Sequence, residues 1–323
     1  MTRLLALGGT RHVGRCVVEN AVARGWEVTT VNRGTASLES IGARSLRADR
    51  TQPGDLERAL AHQGPWDLVV DTWSGAPEPV AESTTLLADR ADVYAYVSSV
   101  SVYHWPWPLG VDEGYATVDV SVGVDDDDYA VCKRRSELAV IDGFGEDRSL
   151  LARAGLIVGP YEQVGRLPWW LRLVAGGSPI PAPGPPERPV QWIDGRDLAD
   201  WLLTTAAADG RGVVNTVGPA GMTTMGAILQ AAIDATDAGA ELDWLTPEQV
   251  ADTGIEPWNE LPIWTPPEGE LASIHAIDTT RAQAMGLTCR PAEQTVADTW
   301  AWLQAEGYPP SLIPPAEARW TTR

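Results

Sequence analysis

The feature that most constrains this chain is the stretch Leu4-Leu5-Ala6-Leu7-Gly8-Gly9-Thr10-Arg11-His12-Val13-Gly14. A short apolar run breaks into a glycine-rich turn, and Val13, Val17, Val18, Ala21 and Val22 then recur at helical spacing. The pattern predicts a strand, a tight turn and a helix. Gly8 and Gly14 are six residues apart, the separation at which a turn lets backbone N–H groups approach a pyrophosphate at a helix N-terminus. Arg11 occupies the middle position, where glycine is usual.

A second strand is expected over Trp26–Val31, ending in Asn32-Arg33-Gly34. In a dinucleotide fold this strand end faces the adenosine ribose, where an acid favours the 2′-hydroxyl and an arginine the 2′-phosphate. The acid is absent, and Arg33 with Arg11 points to NADP, with NAD as the alternative. A third strand, Arg44–Ala48, ends at Asp49, placed to meet the adenine edge. A helix over Leu56–Leu60, a strand over Trp66–Val70 and a helix over Val80–Leu87 follow. Such alternation predicts an α/β fold whose parallel sheet is covered on both faces.

The fifth strand, Val93–Val97, runs into Ser98-Ser99-Val100-Ser101-Val102-Tyr103. Ligands of open α/β sheets bind outside the carboxyl ends of the strands, which puts Ser99 where chemistry is expected. Tyr129 and Lys133 lie four apart on a predicted helix reaching Ile141, and so share a face. A phenol titrates near pH 10. An ammonium about 4 Å away contributes roughly 4 kcal/mol at an effective dielectric near 20, about three pKa units before screening. Such a shift suits acid–base catalysis near neutrality. Of 24 basic residues only Lys133 is lysine. A purely structural cation in so arginine-biased a chain would be expected to be arginine. The acidic run Asp125–Asp128 reads as a helix-dipole partner rather than a metal site.

Composition narrows the partners. With 323 residues and 44% apolar content the chain can bury one large core or two modest ones. A net charge of −20 argues against nucleic acid. The three cysteines are scattered and suggest neither disulfides nor a metal knuckle. No apolar run reaches the roughly 18 residues that span a bilayer, and Leu4–Leu7 is too short for a signal-peptide core. The expectation is a cytoplasmic protein without membrane partners. Fifteen tryptophans accompany one phenylalanine. Trp105, Trp107, Trp169, Trp170, Trp258 and Trp264 are candidates to line a pocket for a planar or sugar-like small molecule, with core burial as the other option.

Taken together these residues resemble the extended, atypical short-chain dehydrogenase/reductases, the NAD(P)-dependent epimerase/dehydratase-like proteins. The carriers are Gly8–Gly14, Asp49, Ser99 with Val102-Tyr103, Tyr129 with Lys133, Arg153–Pro160, Val190–Asp194 with Arg196–Ala199, and Asp278–Trp302. Gly8-Gly9-Thr10-Arg11 looks like the branch that includes the chloroplast stem-loop RNA-binding proteins. Arg11 and Ala154 depart from the family's usual glycine and proline. The resemblance implies a doubly wound Rossmann domain over 1–160 plus 190–217, and a smaller C-terminal substrate domain from 161–189 plus 218–323. It implies catalysis by Ser99, Tyr129 and Lys133. Its cofactor site would comprise Gly8, Thr10, Arg11, His12, Val13, Asn32, Arg33, Asp49, Arg50, Lys133, Ala154 and Leu156. It also implies a homodimer through the helices Val80–Leu87 and Tyr129–Ile141. The leading activity is carbonyl or alcohol oxidoreduction. Epimerisation with tightly held NAD is the runner-up, and a non-catalytic NADP(H) sensor or RNA binder a third possibility.

Overall fold

In a computed structural model, residues 1–34, 39–121, 127–177, 179–308 and 320 are described. Thirteen strands occur among them: β1 (Arg3–Leu7), β2 (Glu27–Asn32), β3 (Arg44–Arg47), β4 (Trp66–Asp71), β5 (Ala91–Ser99), β6 (Ser149–Ala154), β7 (Ile157–Val158), β8 (Ile180–Pro183), β9 (Pro189–Val190), β10 (Ile193–Asp194), β11 (Gly212–Thr216), β12 (Thr223–Thr224) and β13 (Leu242–Leu245). The helices are α1 (His12–Ala23), α2 (Asp55–Leu60), α3 (Glu78–Leu87), α4 (Tyr129–Phe144), α5 (Arg166–Ala175), α6 (Gly195–Ala207), α7 (Met225–Thr236), α8 (Pro247–Ala251), α9 (Thr280–Ala284) and α10 (Ala292–Glu306).

Seven strands form one parallel sheet in the order β11-β6-β5-β4-β1-β2-β3. The order reverses between β1 and β4, which opens a crevice at their carboxyl ends. The residues of β1 explain why it lies inside. Side chains alternate between faces, and Leu4 and Ala6 pack with Val17 and Val18 of α1 and Leu198 of α6. Leu5 and Leu7 pack on the other face with Val80 of α3 and Val140 and Phe144 of α4. Each fully buried leucine contributes about 1.5–3 kcal/mol, so a strand apolar on both faces is stable only with both covered.

β11 joins the sheet beside β6, while β10 pairs with β7 apart from it. The proline-rich stretch around 179–189 reads in sequence as a bare link; Ile180–Pro183 instead pairs with β13. A third core cluster joins α5, α7 and α10 and contains Trp169, Trp170, Trp192, Trp264 and Trp320. Trp170 donates its Nε1–H to Pro262 O at 2.8 Å and Trp264 to Gly184 O at 3.2 Å. Three of the six candidate pocket tryptophans, Trp169, Trp170 and Trp264, are therefore core. Trp107 is nearly buried, and Trp105 is 36% exposed. Segment 244–274 is tied to this cluster by His275: its Nδ1 accepts from Gln191 N at 3.1 Å, and its Nε2 meets Ile263 O at 2.7 Å. Only a neutral ring with its proton on Nε2 satisfies both contacts. Burial accordingly holds the imidazole down at about 4.

Candidate active site

The glycine turn is built for close approach. Gly8 and Gly9 have φ of 115° and 101°, a left-handed region that side chains resist. A Cβ on Gly14 would stand 2.6 Å from Gly9 N, and one on Gly8 2.5 Å from Thr72 Oγ1. α1 begins with no side-chain cap from Arg11 and no acid in its first turn. Its leading N–H groups and positive end are thus free for an anion. The cradle fits a dinucleotide's pyrophosphate.

The other proposed cofactor residues separate by what their side chains already do. Arg11 and Arg33 are exposed at the carboxyl ends of adjacent strands. Thr10 is partly exposed, and Val13 is buried in the core below the turn. The His12 ring hydrogen-bonds the Val158 backbone and packs toward Gly195, where burial pushes it down to about 4. Its Nε2 is buried without a hydrogen-bond partner among the described residues. Asn32 is turned inward, accepting from Gly34 N at 2.8 Å and donating to Ser45 Oγ at 3.0 Å. Asp49 accepts from Thr51 N and Oγ1, and these bonds lower its pKa. Ala154 pairs with Ser99 and Thr216 on its two sides. The Leu156 carbonyl accepts from Ile193 N.

Arg50 corrects an expectation. Its guanidinium is buried in a two-pronged pair with Asp71, Nη1 to Oδ1 at 2.7 Å and Nη2 to Oδ2 at 2.8 Å, and it also reaches Pro79 O and Ser83 Oγ. A buried cation takes the carboxylate that offsets its desolvation, so the Arg50 guanidinium is not available to a cofactor.

At the end of β5, Ser99 Oγ accepts from Ser101 N and donates to Ser101 Oγ, both at 3.1 Å. Asp128 Oδ1 caps α4 by accepting from Val131 N at 2.9 Å, which makes Tyr129 the first helical residue; such a cap is worth about 1 kcal/mol. One turn on, Lys133 is buried: Nζ donates to Trp73 O at 2.6 Å and Val97 O at 2.8 Å and lies 4.7 Å from the Tyr96 ring centroid. Burial pushes its ammonium down to about 8. Asp125 and Asp126 of the acidic run lie outside the described residues. Among the described residues no cluster could hold a metal ion.

The electrostatic role expected of Lys133 is not what the geometry supplies. Its Nζ is 6.0 Å from the Tyr129 ring centroid, with two protons committed to carbonyls. Tyr129 is 47% exposed, yet enough protein crowds it that burial raises the phenol. The groups that pull it back are Ser99, by hydrogen bonding, and Arg166, by charge. Sequence reasoning missed Arg166, which opens α5, and Glu162 before it. It also missed Asp71, which accepts from Trp73 N at 2.9 Å and so sets the turn whose carbonyl holds Lys133. An acid ending a buried parallel strand was the one available signal. Two surface hollows of about 410 Å³ lie elsewhere, beside Cys289 and Arg290 and beside Cys16 and Asp197.

A parallel sheet in this order, with a glycine cradle at the switch point and a serine and tyrosine at neighbouring strand and helix ends, defines a nucleotide-binding α/β protein of the extended short-chain dehydrogenase type. A model of the NAD dependent epimerase/dehydratase family matches residues 4–218, and the chain belongs to that family. No curated protein matches the sequence. Among solved structures it is similar to the Bordetella bronchiseptica enzyme WbmH in complex with NAD+, at 14% identity and a TM-score of 0.71, over 95% of this chain and 100% of that one. It is also similar to the Thermus thermophilus UDP-glucose 4-epimerase in complex with NAD, at 17% and 0.63, over 94% and 100%. A third is the UDP-N-acetylglucosamine 4-epimerase of Methanobrevibacter ruminantium, at 15% and 0.65, over 94% and 99%. At these identities the likeness establishes the fold.

Proposed function

We propose that this chain interconverts a carbonyl and an alcohol on a small molecule, with NADP(H) as its preferred cofactor. The observation that carries this reading is Tyr129 at the head of α4, half exposed and close enough to Ser99 to be influenced by its hydroxyl, one turn from the chain's only lysine. Ser99 orients the substrate oxygen, and Tyr129 gives or takes its proton. Lys133, held under the helix by two carbonyls, fixes the level of α4 and keeps a donor for a ribose hydroxyl. The glycine cradle would hold the cofactor's pyrophosphate. When bound, the nicotinamide supplies or accepts the hydride, which is the step these side chains cannot perform.

The cofactor preference rests on the exposed Arg11 and Arg33 and on an Asn32 amide already spent on Gly34 and Ser45. Calorimetric titration with NADPH and NADH tests it, and Arg33→Ser should weaken NADPH about tenfold while sparing NADH. Equal binding of the two by the unaltered protein would remove the preference. The sugar-nucleotide epimerases among its structural neighbours favour a second reading, epimerisation with retained NAD. Cofactor released on denaturing the purified protein separates the two: NAD in near-stoichiometric amount supports the epimerase, and a cofactor-free protein that takes up NADPH supports the reductase.

A further inference from the structure

We propose that Arg166 is an oxyanion-binding residue of the cleft, taking a phosphate or carboxylate oxygen of a bound small molecule between the α1 N-terminus and Tyr129. The proposal rests on the cofactor cleft described above and adds to it a recognition group whose charge reaches Tyr129.

The buried arginines of this chain are partnered inside the protein. Arg50 is matched to Asp71, Arg153 is matched to Glu137 through bonds of 2.9 Å, and Arg188 is caged by Thr265 O, Thr265 Oγ1 and Ala272 O. Arg166 is treated differently. Among the described residues its guanidinium has no hydrogen-bonded acceptor; it lies over the Trp258 ring, 5.4 Å from the centroid. Trp258 is itself pinned, with φ of 70° and its ring edge-on to His275 at 5.9 Å. The nearby Glu162 carboxyl feels the charge of Arg166 but makes no hydrogen bond to its guanidinium among the described residues. Glu162 is fully buried and spends both oxygens on helix N–H groups, Oε1 on Arg166 N at 2.6 Å and Oε2 on Leu167 N at 3.3 Å.

Position supplies the function. The charge of Arg166, which opens α5, is felt by both Tyr129 and His12, so the guanidinium lies within electrostatic reach of the proton-transfer group and of the first residue of α1. A chain with net charge −20 has carboxylates to spare, yet leaves this cation over an aromatic ring. Guanidinium presents a planar fork that matches carboxylate and phosphate oxygens, and stacking on a ring holds that fork without consuming its donors. Two sources present such an oxygen: the phosphates of the cofactor, and an acidic group on the substrate.

The test uses the full chain and binding rather than turnover. NADPH is titrated calorimetrically into the unaltered protein, Arg166→Leu and Arg166→Lys; inorganic phosphate is then titrated into each, both free and saturated with NADP+. We expect Arg166→Leu to weaken one of these ligands at least tenfold and Arg166→Lys to weaken it less. A loss confined to NADPH assigns the oxyanion to the cofactor, and a loss confined to phosphate on the saturated protein assigns it to the substrate side. Unchanged NADPH affinity with no Arg166-dependent phosphate binding overturns the proposal. If the unaltered protein binds no dinucleotide, the cofactor reading fails, while phosphate on the free protein still decides Arg166. Circular dichroism checks folding, and Arg166→Lys keeps a cation over Trp258 should the leucine variant not fold.

Discussion

Beneath Tyr129, Lys133 is held by two backbone carbonyls, and Asp71, which sets the turn carrying one of them, is itself matched by Arg50 and by Tyr94 Oη at 2.6 Å. Beside Tyr129, Arg166 rests on an indole while Glu162 faces backbone N–H groups. Both regions are built from a cation and a carboxylate in protein surroundings. In the first each charged group is held by at least two hydrogen bonds inside the protein, which fixes its position. In the second Glu162 is spent on backbone N–H groups, and the guanidinium of Arg166 is left without an acceptor among the described residues.

Lys133→Arg should give the largest effect on this contrast. The two carbonyls and the Tyr96 ring form a cage for a compact ammonium, and a planar guanidinium cannot make both bonds without shifting α4 and Tyr129. Turnover should fall by about 10²- to 10⁴-fold. It would be followed as NADPH oxidation across a panel of aldehydes, ketones and nucleotide sugars, with circular dichroism confirming the fold. Near-normal turnover would show that the matched region does not set catalysis.

Asp71→Ala comes next. It strands Arg50, only 6% exposed, and releases Trp73 N and the Tyr94 hydroxyl. Removing one partner of a buried pair costs about 3–5 kcal/mol, to be read from urea denaturation. A loss below about 1 kcal/mol would mean that Arg50 finds water or another acceptor, and that the region is looser than its geometry.

The smallest effect belongs to the unmatched side. Burial pushes the Glu162 carboxyl from 4.5 up to about 7. Between those pH values the folded chain keeps a proton that the unfolded chain has lost, so stability is full below 4.5 and declines as pH rises to 7. Glu162→Gln should remove that decline, about 1–3 kcal/mol across the window, as seen in denaturation midpoints measured at about pH 5 and pH 7. A decline that persists in the variant would place the titrating group elsewhere.

Much of the sheet was legible because the local pattern carried it. Leu4 to Leu7 are apolar at every position, which only a strand covered on both faces satisfies, and Tyr129 and Lys133 fall four apart whatever surrounds them. Arg50 was misread because its partner, Asp71, sits 21 residues away on another strand; at a strand end a buried ion pair and a ligand contact look alike. Arg166 was invisible for the opposite reason. Its significance is the acceptor it lacks among the described residues, and that depends on Glu162 turning toward helix N–H groups. Sequence left the tryptophans open between pocket and core because the indole is large, apolar and donates one hydrogen bond, which suits a core carbonyl such as Pro262 O as well as a ligand.

The neutral ring of His275 gives the Trp-rich half of the molecule a fault line in acid. It joins Gln191 to the stretch that holds Ile263 and His275 itself, and its acceptor nitrogen is the one a second proton would take, facing the Gln191 N–H with Arg188 adding repulsion nearby. Its contribution is intact above pH 6.5 and erodes as pH falls toward 4. The first bond lost is the one at Gln191, so amide exchange there should quicken relative to the central sheet. Loosening would spread from that stitch toward Ile263 and Trp264, leaving β1 and its neighbours protected until the whole chain gives way.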